Sequence, residues 1–229
     1  MNRSTNGQRL ARVLPLRVKN ESYVNYSYLL INPATNQAAI VDPAWEIETI
    51  TRALPASVAL TDILVTHSHP DHVDLVLPLA ECFDACISLS PWGTLAVPAT
   101  MKTNFVTDET PFFAAGLEVK PLVTPGHTSD SICYLIGNDL FSGDTLFAEG
   151  CGLCTYDTSD PSQLFRSLMR LKRDLHNSVR IFPGHSFGCT PGLVFSEVLA
   201  RNIYLHLESE DQFVAFRTRP GQTHAFEFH

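Results

Sequence analysis

The chain has 229 residues, 45% of them apolar, and a formal net charge of −8. That size suits one α/β or layered domain spanning residues 1–229, and the acidic balance argues against general nucleic-acid binding. No apolar run approaches the roughly 20 residues of a membrane helix, so a soluble, cytoplasmic protein is expected.

The N-terminal stretch "MNRSTNGQRLARV" lacks the apolar centre of a signal peptide. It bears arginines and no acids up to Asn20, a weak likeness to an organellar transit peptide, but residues 1–12 read better as a disordered tail. Beyond it, short apolar runs alternate with turn signals. "NYSYLLI" (25–31), "QAAIVD" (37–42), "DILVTH" (62–67) and "ACISLS" (85–90) read as strands, bounded by Asn, Pro and Asp. Residues 46–54 and 73–82 have helical spacing, the second interrupted by Pro78. "LEVKPLVTPG" (117–126) and "SICYLIGNDLFSGD" (131–144) continue as strands, with a hairpin turn at Gly137-Asn138-Asp139. Asp160-Pro161 supplies an N-cap and a first-turn proline for a helix with Leu164, Phe165, Leu168, Leu171 and Leu175 on one face. A strand at 179–184 and a helix from about Pro191 to Leu207 complete the pattern. Two βα-type halves packed sheet against sheet would bury it in four layers.

Three of the nine histidines fall within "THSHPDHVD" (66–74), directly after the apolar run Ile63-Leu64-Val65. In an extended segment positions i and i+2 point the same way, so His67 and His69 can grip one metal ion. Pro70 ends the strand, and Asp71 and His72, turning into a helix, can face a second. A lone surface histidine is ordinarily just solvated, but four imidazole and carboxylate groups crowded at a strand end make little sense unpaired. His127 in "TPGHTSD", Asp144 in "FSGDTLF" and His185 in "FPGHSFG" each follow a strand-like run and a glycine. The whole set, five histidines and two aspartates, is enough for two adjacent ions bridged by a carboxylate and a hydroxide. His176, His206, His224 and His229 have no such setting.

Two other motifs compete. "GHSFG" (184–188) matches the nucleophile elbow of α/β-hydrolases, with Asp211 and His224 following Ser186 in the right order for a triad. That reading leaves HxHxDH unexplained and too little chain after Ser186 for the acid and base. Cys151 and Cys154 form a CxxC, but without the strand-to-helix context of a redox motif, so burial or loop packing is expected. Six cysteines without secretion signals suit a reducing compartment.

With these motifs the sequence resembles the metallo-β-lactamase superfamily from about Val13 to Gly188. The resemblance implies an αββα sandwich with a dinuclear site along the sheet edges. It implies that His67, His69 and His127 hold one ion, that Asp71, His72 and His185 hold the other, and that Asp144 bridges them. Two Zn2+ are implied, and iron or manganese suits the same donors. Asp144 and the "GCG" of residues 150–152 resemble the glyoxalase II branch, which hydrolyses thioesters; true lactamases generally lack that bridging aspartate and carry an export signal. "VKNESYVNYSYLL", "VDPAWEIE" and "PGHSFG" are similar to the small zinc hydrolases of trans-acyltransferase polyketide synthases, which remove acyl groups from stalled acyl carrier proteins.

The resemblance thus implies thioester hydrolysis by a hydroxide shared between two ions, with Asp71 orienting the water, on an acyl carrier protein as partner. The alternatives are a hydroxyacylglutathione hydrolase, although the chain ends too soon after the last ligand for a helical glutathione-binding domain, and a mononuclear-iron persulfide dioxygenase. A non-catalytic metal-binding or carrier-binding protein is a third class. Residues 166–219 carry eight basic side chains against five acidic ones. Arg166, Arg170 and Arg173 recur at i, i+4 and i+7 on the helix from Pro161, where they could meet an acidic carrier protein or a phosphopantetheine phosphate, or form an ordinary solvated face.

Overall fold

The computed structural model describes residues 11–21, 23–155 and 157–222, and within them the β-rich halves close into two six-stranded sheets. The first runs β1 (Arg12–Lys19), β2 (Val24–Asn32), β3 (Gln37–Val41), β4 (Ala59–Leu64), β5 (Cys86–Leu89) and β6 (Thr103–Phe105), in that spatial order. Tight connections make β1 to β3 antiparallel. From β3 onward the strands are parallel. Helix α1 (Ile47–Ala53), then α2 (Pro70–Val73) and α3 (Val76–Phe83), supply the first two crossovers, which parallel pairing requires. The second sheet holds β7 (Phe112–Ala114), β8 (Leu117–Val123), β9 (Ile132–Ile136) and β10 (Asp139–Gly143) as an antiparallel meander. Helix α4 (Pro161–Asp174) then crosses over to β11 (Arg180–Pro183), parallel to β10, and β12 (Leu193–Val194) closes the far edge.

Period-two alternation sorts the strand residues into layers. Tyr28, Leu30, Val41 and Leu64 point toward the second sheet and meet Val119, Tyr134, Phe141 and Phe182. Phe141 stacks on Phe182 at 5.2 Å and is tilted against Tyr28 at 5.4 Å. The Tyr134 hydroxyl crosses to donate to the carbonyls of Val65 (2.9 Å) and Ser88 (3.2 Å). The opposite faces carry Leu29, Ile40, Ile63 and Ile87 under Ile50, Val76 and Leu79 of the first helical layer. Leu122, Leu140 and Ile181 lie under Leu164, Leu168 and Leu171 of α4, with Phe213 of α6 (Glu210–Arg217) beside them. The architecture is the expected αββα sandwich.

Helix α4 starts as the sequence predicts: the Asp160 side chain accepts from the backbone N–H of Ser162 and Gln163, with Pro161 in the first turn. Pro78 does not break the second helix, because α3 begins at Val76 and the proline sits where no intrahelical donor is needed. The long helix expected over 191–207 is replaced by β12, the short α5 (Phe195–Arg201) and a 3-10 turn (Ile203–His206). Two causes divide it. Gly192, at φ 97, releases Leu193 and Val194 to pair with β11. Buried Asn202 caps the 3-10 turn through Tyr204 N and donates to the carbonyls of Phe147 and Gly150. The expected N-terminal tail lies outside the described residues up to position 10, and Arg12 opens β1. No helix among the described residues is long and apolar enough to cross a membrane.

Removing the ring that joins the sheets tests this packing. Phe141→Ala is expected to cost about 3–5 kcal/mol, read as a lowered urea midpoint at unchanged slope.

Candidate metal centre

Both sheets deliver polar side chains to one edge. The segment after β4 carries His67 and His69, and Pro70 opens α2, whose first turn carries Asp71 and His72. Across from it, His127 follows β8, Asp144 follows β10 and His185 follows β11. The glycine before His127 permits a crossing: Gly126, at φ 142, lies so close to α4 that an added Cβ would come within 2.2 Å of the Leu164 backbone nitrogen. Gly184 serves close approach rather than a turn, since a Cβ there would meet Asp144 Oδ1 and His72 Cε1, each at 2.5 Å.

The seven residues converge. His69 Nδ1 lies 3.1 Å from His67 Nε2 and 3.0 Å from His127 Nε2. The outer nitrogen of His127 is 2.7 Å from the Leu153 carbonyl, an acceptor only, so Nδ1 donates and Nε2 turns its lone pair inward. His69 Nδ1 therefore faces two other imidazole nitrogens at hydrogen-bond distance. The second group is ionic. His185 Nε2 stands 3.3 Å from Asp71 Oδ2 and 3.4 Å from Asp144 Oδ2, and its Nδ1 donates to the Val24 carbonyl. His72 Nε2 is 3.4 Å from Asp144 Oδ1 and 3.7 Å from Asp71 Oδ2. Asp144 thus lies between the groups, with Oδ2 also 3.6 Å from His127 Nε2.

Titration follows this division. Burial holds His67 and His69 below the ordinary imidazole range, and it takes His127 down to about 4, the Asp144 charge only partly opposing. His185 is pushed the other way: burial would lower it, but the Asp144 charge and its hydrogen bonds to Asp144 and Asp71 carry it to about 9. His72 is likewise raised, burial being outweighed by Asp71 and Asp144. In Asp144 burial is outweighed by the charges of His185 and His72, which hold its carboxyl well below the usual range.

The residues fit a pair of cations. His67, His69 and His127 offer three nitrogens, and Asp71, His72 and His185 a carboxylate and two more, each trio within 4.8 Å. Buried Asp144 Oδ1 accepts no hydrogen bond of good geometry. Nitrogen donors with one or two carboxylates suit zinc. A third trio, Asp42, His67 and His72, also lies within reach, but Asp42 is already committed. It accepts from Thr66 N (2.8 Å), Thr66 Oγ1 (2.6 Å) and His72 Nδ1 (2.8 Å), so it clamps the strand end rather than facing inward. Asp42 escaped the sequence reading although "VDP" after a strand was in view. Asn25 did too; its amide donates to Asp71 O and Oδ2 at 2.8 and 3.1 Å.

The other candidates stand elsewhere. Arg170 is held by Asp108 (3.0 Å), Glu109 (3.1 Å) and the Val123 carbonyl. Arg173 pairs with Asp174 at 2.6 Å and Arg166 with Glu210 at 3.5 Å, and none of the three lines the cleft over the centre. Buried Ser186 donates to the Cys189 carbonyl, Asp211 lies on α6, and His224 lies outside the described residues. No triad forms among the described residues. Burial pushes the thiols of Cys151 and Cys154 up to about 11 and about 12, the reverse of a reactive pair.

A cleft of about 590 Å³ opens over His69, Asp71, His127, Asp144 and His185. The model of the metallo-beta-lactamase superfamily matches residues 102–185. The probable polyketide biosynthesis zinc-dependent hydrolase PksB of Bacillus subtilis is 36% identical over 219 residues, covering 95% of this chain and 97% of its own. The chain belongs to the metallo-beta-lactamase superfamily. Within this superfamily, the hydroxyacylglutathione hydrolase of Tolumonas auensis is 34% identical over 161 residues, 70% of this chain and 62% of that protein. The crystal structure of ETHE1 from Myxococcus xanthus superposes with a TM-score of 0.77 at 26% identity, covering 93% of this chain and 95% of that one.

Two outcomes follow for the centre. Asp42→Asn keeps an acceptor at a left-handed position, φ 47, that Asn tolerates; removing the charge is expected to weaken zinc binding by about 10–100-fold in chelator competition. Metal-stripped protein should melt highest near pH 6.5, the ordinary imidazole value. As pH falls from there through about 4, the unfolded chain takes a proton that folded His127 refuses; as pH rises through about 9, folded His185 gives up a stabilising one. Calorimetry from acid to alkaline pH reads the resulting maximum.

Proposed function

We propose that the chain is a zinc-dependent hydrolase of acyl thioesters, removing acyl groups from the phosphopantetheine arm of an acyl carrier protein in polyketide biosynthesis. The observation that carries the reading is Asp144 placed between two complete donor trios beneath an open cleft. The match to PksB across nearly the whole of both chains supports the polyketide setting, and that to a hydroxyacylglutathione hydrolase supports thioesters as the bond cleaved. Two trios favour a dinuclear centre over the single iron of a dioxygenase.

His67, His69 and His127 would hold one zinc, Asp71, His72 and His185 the other, and Asp144 would contact both. Zinc so held supplies Lewis acidity and brings the pKa of water toward neutrality. The chain's own groups do the rest. Asp71, pinned by Asn25, points Oδ2 toward the space beside His185 and can accept a hydrogen bond from water there, orienting it. His72 and His127 are fixed by Asp42 and the Leu153 carbonyl, so neither ring needs to reorganise. Every histidine of the centre would serve as a donor to metal, which would leave none to protonate a leaving group. A thiolate, with a conjugate-acid pKa of about 8.5, departs without such help, whereas an amine or alkoxide does not.

The deciding assay compares zinc-loaded protein on acetyl-loaded acyl carrier protein and on S-lactoylglutathione, following released thiol. Faster release from the carrier protein is expected; preference for the glutathione thioester would move the assignment to hydroxyacylglutathione hydrolysis. Asp144→Ala should lose bound zinc and activity together, and an active, zinc-replete variant would remove the bridging role.

A further inference from the structure

The cleft has two chemically different ends. At the His127 end the wall mixes cations with rings: the Leu153 carbonyl accepts from His127, the neighbouring Cys151 carbonyl accepts from Arg217 Nη1 at 3.1 Å, and the Arg217 and Arg219 guanidiniums lie over the rings of Tyr204 and Phe216. At the His185 end it is aromatic. Phe147 meets His185 edge-on at 6.1 Å, and Phe187 packs on Phe147 at 5.7 Å. Tyr23 precedes Val24, whose carbonyl fixes His185 Nδ1, and Trp45 follows three residues after Asp42, which fixes His72. All four rings line the cleft.

Trp45 adds a second observation. Its φ is 55, a left-handed conformation that a bulky side chain seldom adopts, and its backbone N–H donates to Asp74 Oδ2 at 3.3 Å, just beyond His72. Strain of this kind persists where surrounding structure imposes it, characteristically at ligand sites. Here it sets an indole into the wall beside the centre.

A thioester whose carbonyl sits over the centre must send its two substituents in different directions. One is the acyl chain, apolar; the other is the carrier arm, rich in amides. The end with aromatic rings alone rewards methylene groups, and the end with Arg217 and Arg219 sets guanidinium groups and carbonyls beside its rings. We propose that the His185 end is an acyl-chain pocket, with Trp45 and Phe187 setting a preference for medium-length apolar acyl chains over acetyl. The proposal rests on the thioester reading of the same site and names its substrate class.

Two measurements separate the proposal from that reading. The first needs no turnover. Among two tryptophans, Trp92 is 75% exposed, so Trp92→Phe leaves Trp45 as the sole indole reporter. Titrating zinc-loaded W92F with the S-octyl and S-ethyl thioethers of pantetheine should give tighter binding of the octyl compound, by at least about tenfold, with a blue shift of Trp45 emission. Equal affinities, or binding that leaves the emission unmoved, would overturn the pocket. The second compares kcat/KM for octanoyl- and acetyl-pantetheine. A ratio of at least about ten is expected in the parent protein, collapsing in both Trp45→Ala and Phe187→Ala, the second variant guarding against misfolding of the first. Hydrolysis with no dependence on chain length would sink the pocket and leave the thioesterase standing. Chain-length-dependent thioether binding without hydrolysis of any thioester would do the reverse.

Discussion

His69 Nδ1 stands about 3 Å from two other imidazole nitrogens, and that geometry depends on the strands that carry all three rings. His67 and His69 hang from the first sheet and His127 from the second, so the inter-sheet core keeps them together. Tyr134 ties the same two layers directly beside the centre, donating to the carbonyl of Val65, two residues before His67. A cation there would take all three nitrogens as donors, and the sandwich is the frame that holds them together.

The two donor groups differ in kind. The trio of His67, His69 and His127 is neutral, its pKa values depressed mainly by burial, and it can receive an ion without losing protons. The group containing His72, His185, Asp71 and Asp144 holds protonated imidazoles against carboxylates. An ion entering there must displace protons, so its hold depends on pH where its neighbour's does not. Asp144 couples them, with Oδ1 toward His72 and Oδ2 toward both His185 and His127.

Much of this was legible before any fold was known. HxHxDH after an apolar run, and three further Gly-His or Gly-Asp pairs after strands, announce a metal centre because few other uses exist for such crowding at strand ends. Asp160-Pro161 announced α4 because cap chemistry is local. What stayed hidden depends on distant partners. Asp42 looks like any aspartate ending a strand until Thr66 and His72 are seen to converge on it. The amphipathic stretch 191–207 reads as one helix because its spacing cannot reveal that Asn202 is wanted by Phe147 and Gly150, some fifty residues away. The arginines of α4 look available in sequence, and only in space does the acidic pair Asp108-Glu109 close on Arg170.

The floor and the walls of the cleft come from different stretches of chain. The donors sit on loops locked between the sheets, whereas Tyr23, Trp45, Phe187 and the segment around Arg217 belong to peripheral turns and the last helix. Replacements in those turns change what lies against the substrate while the donors stay where the strands put them. Such an arrangement lets the wall change while the donor set stays intact, and it makes the wall rather than the floor the place where paralogues should diverge.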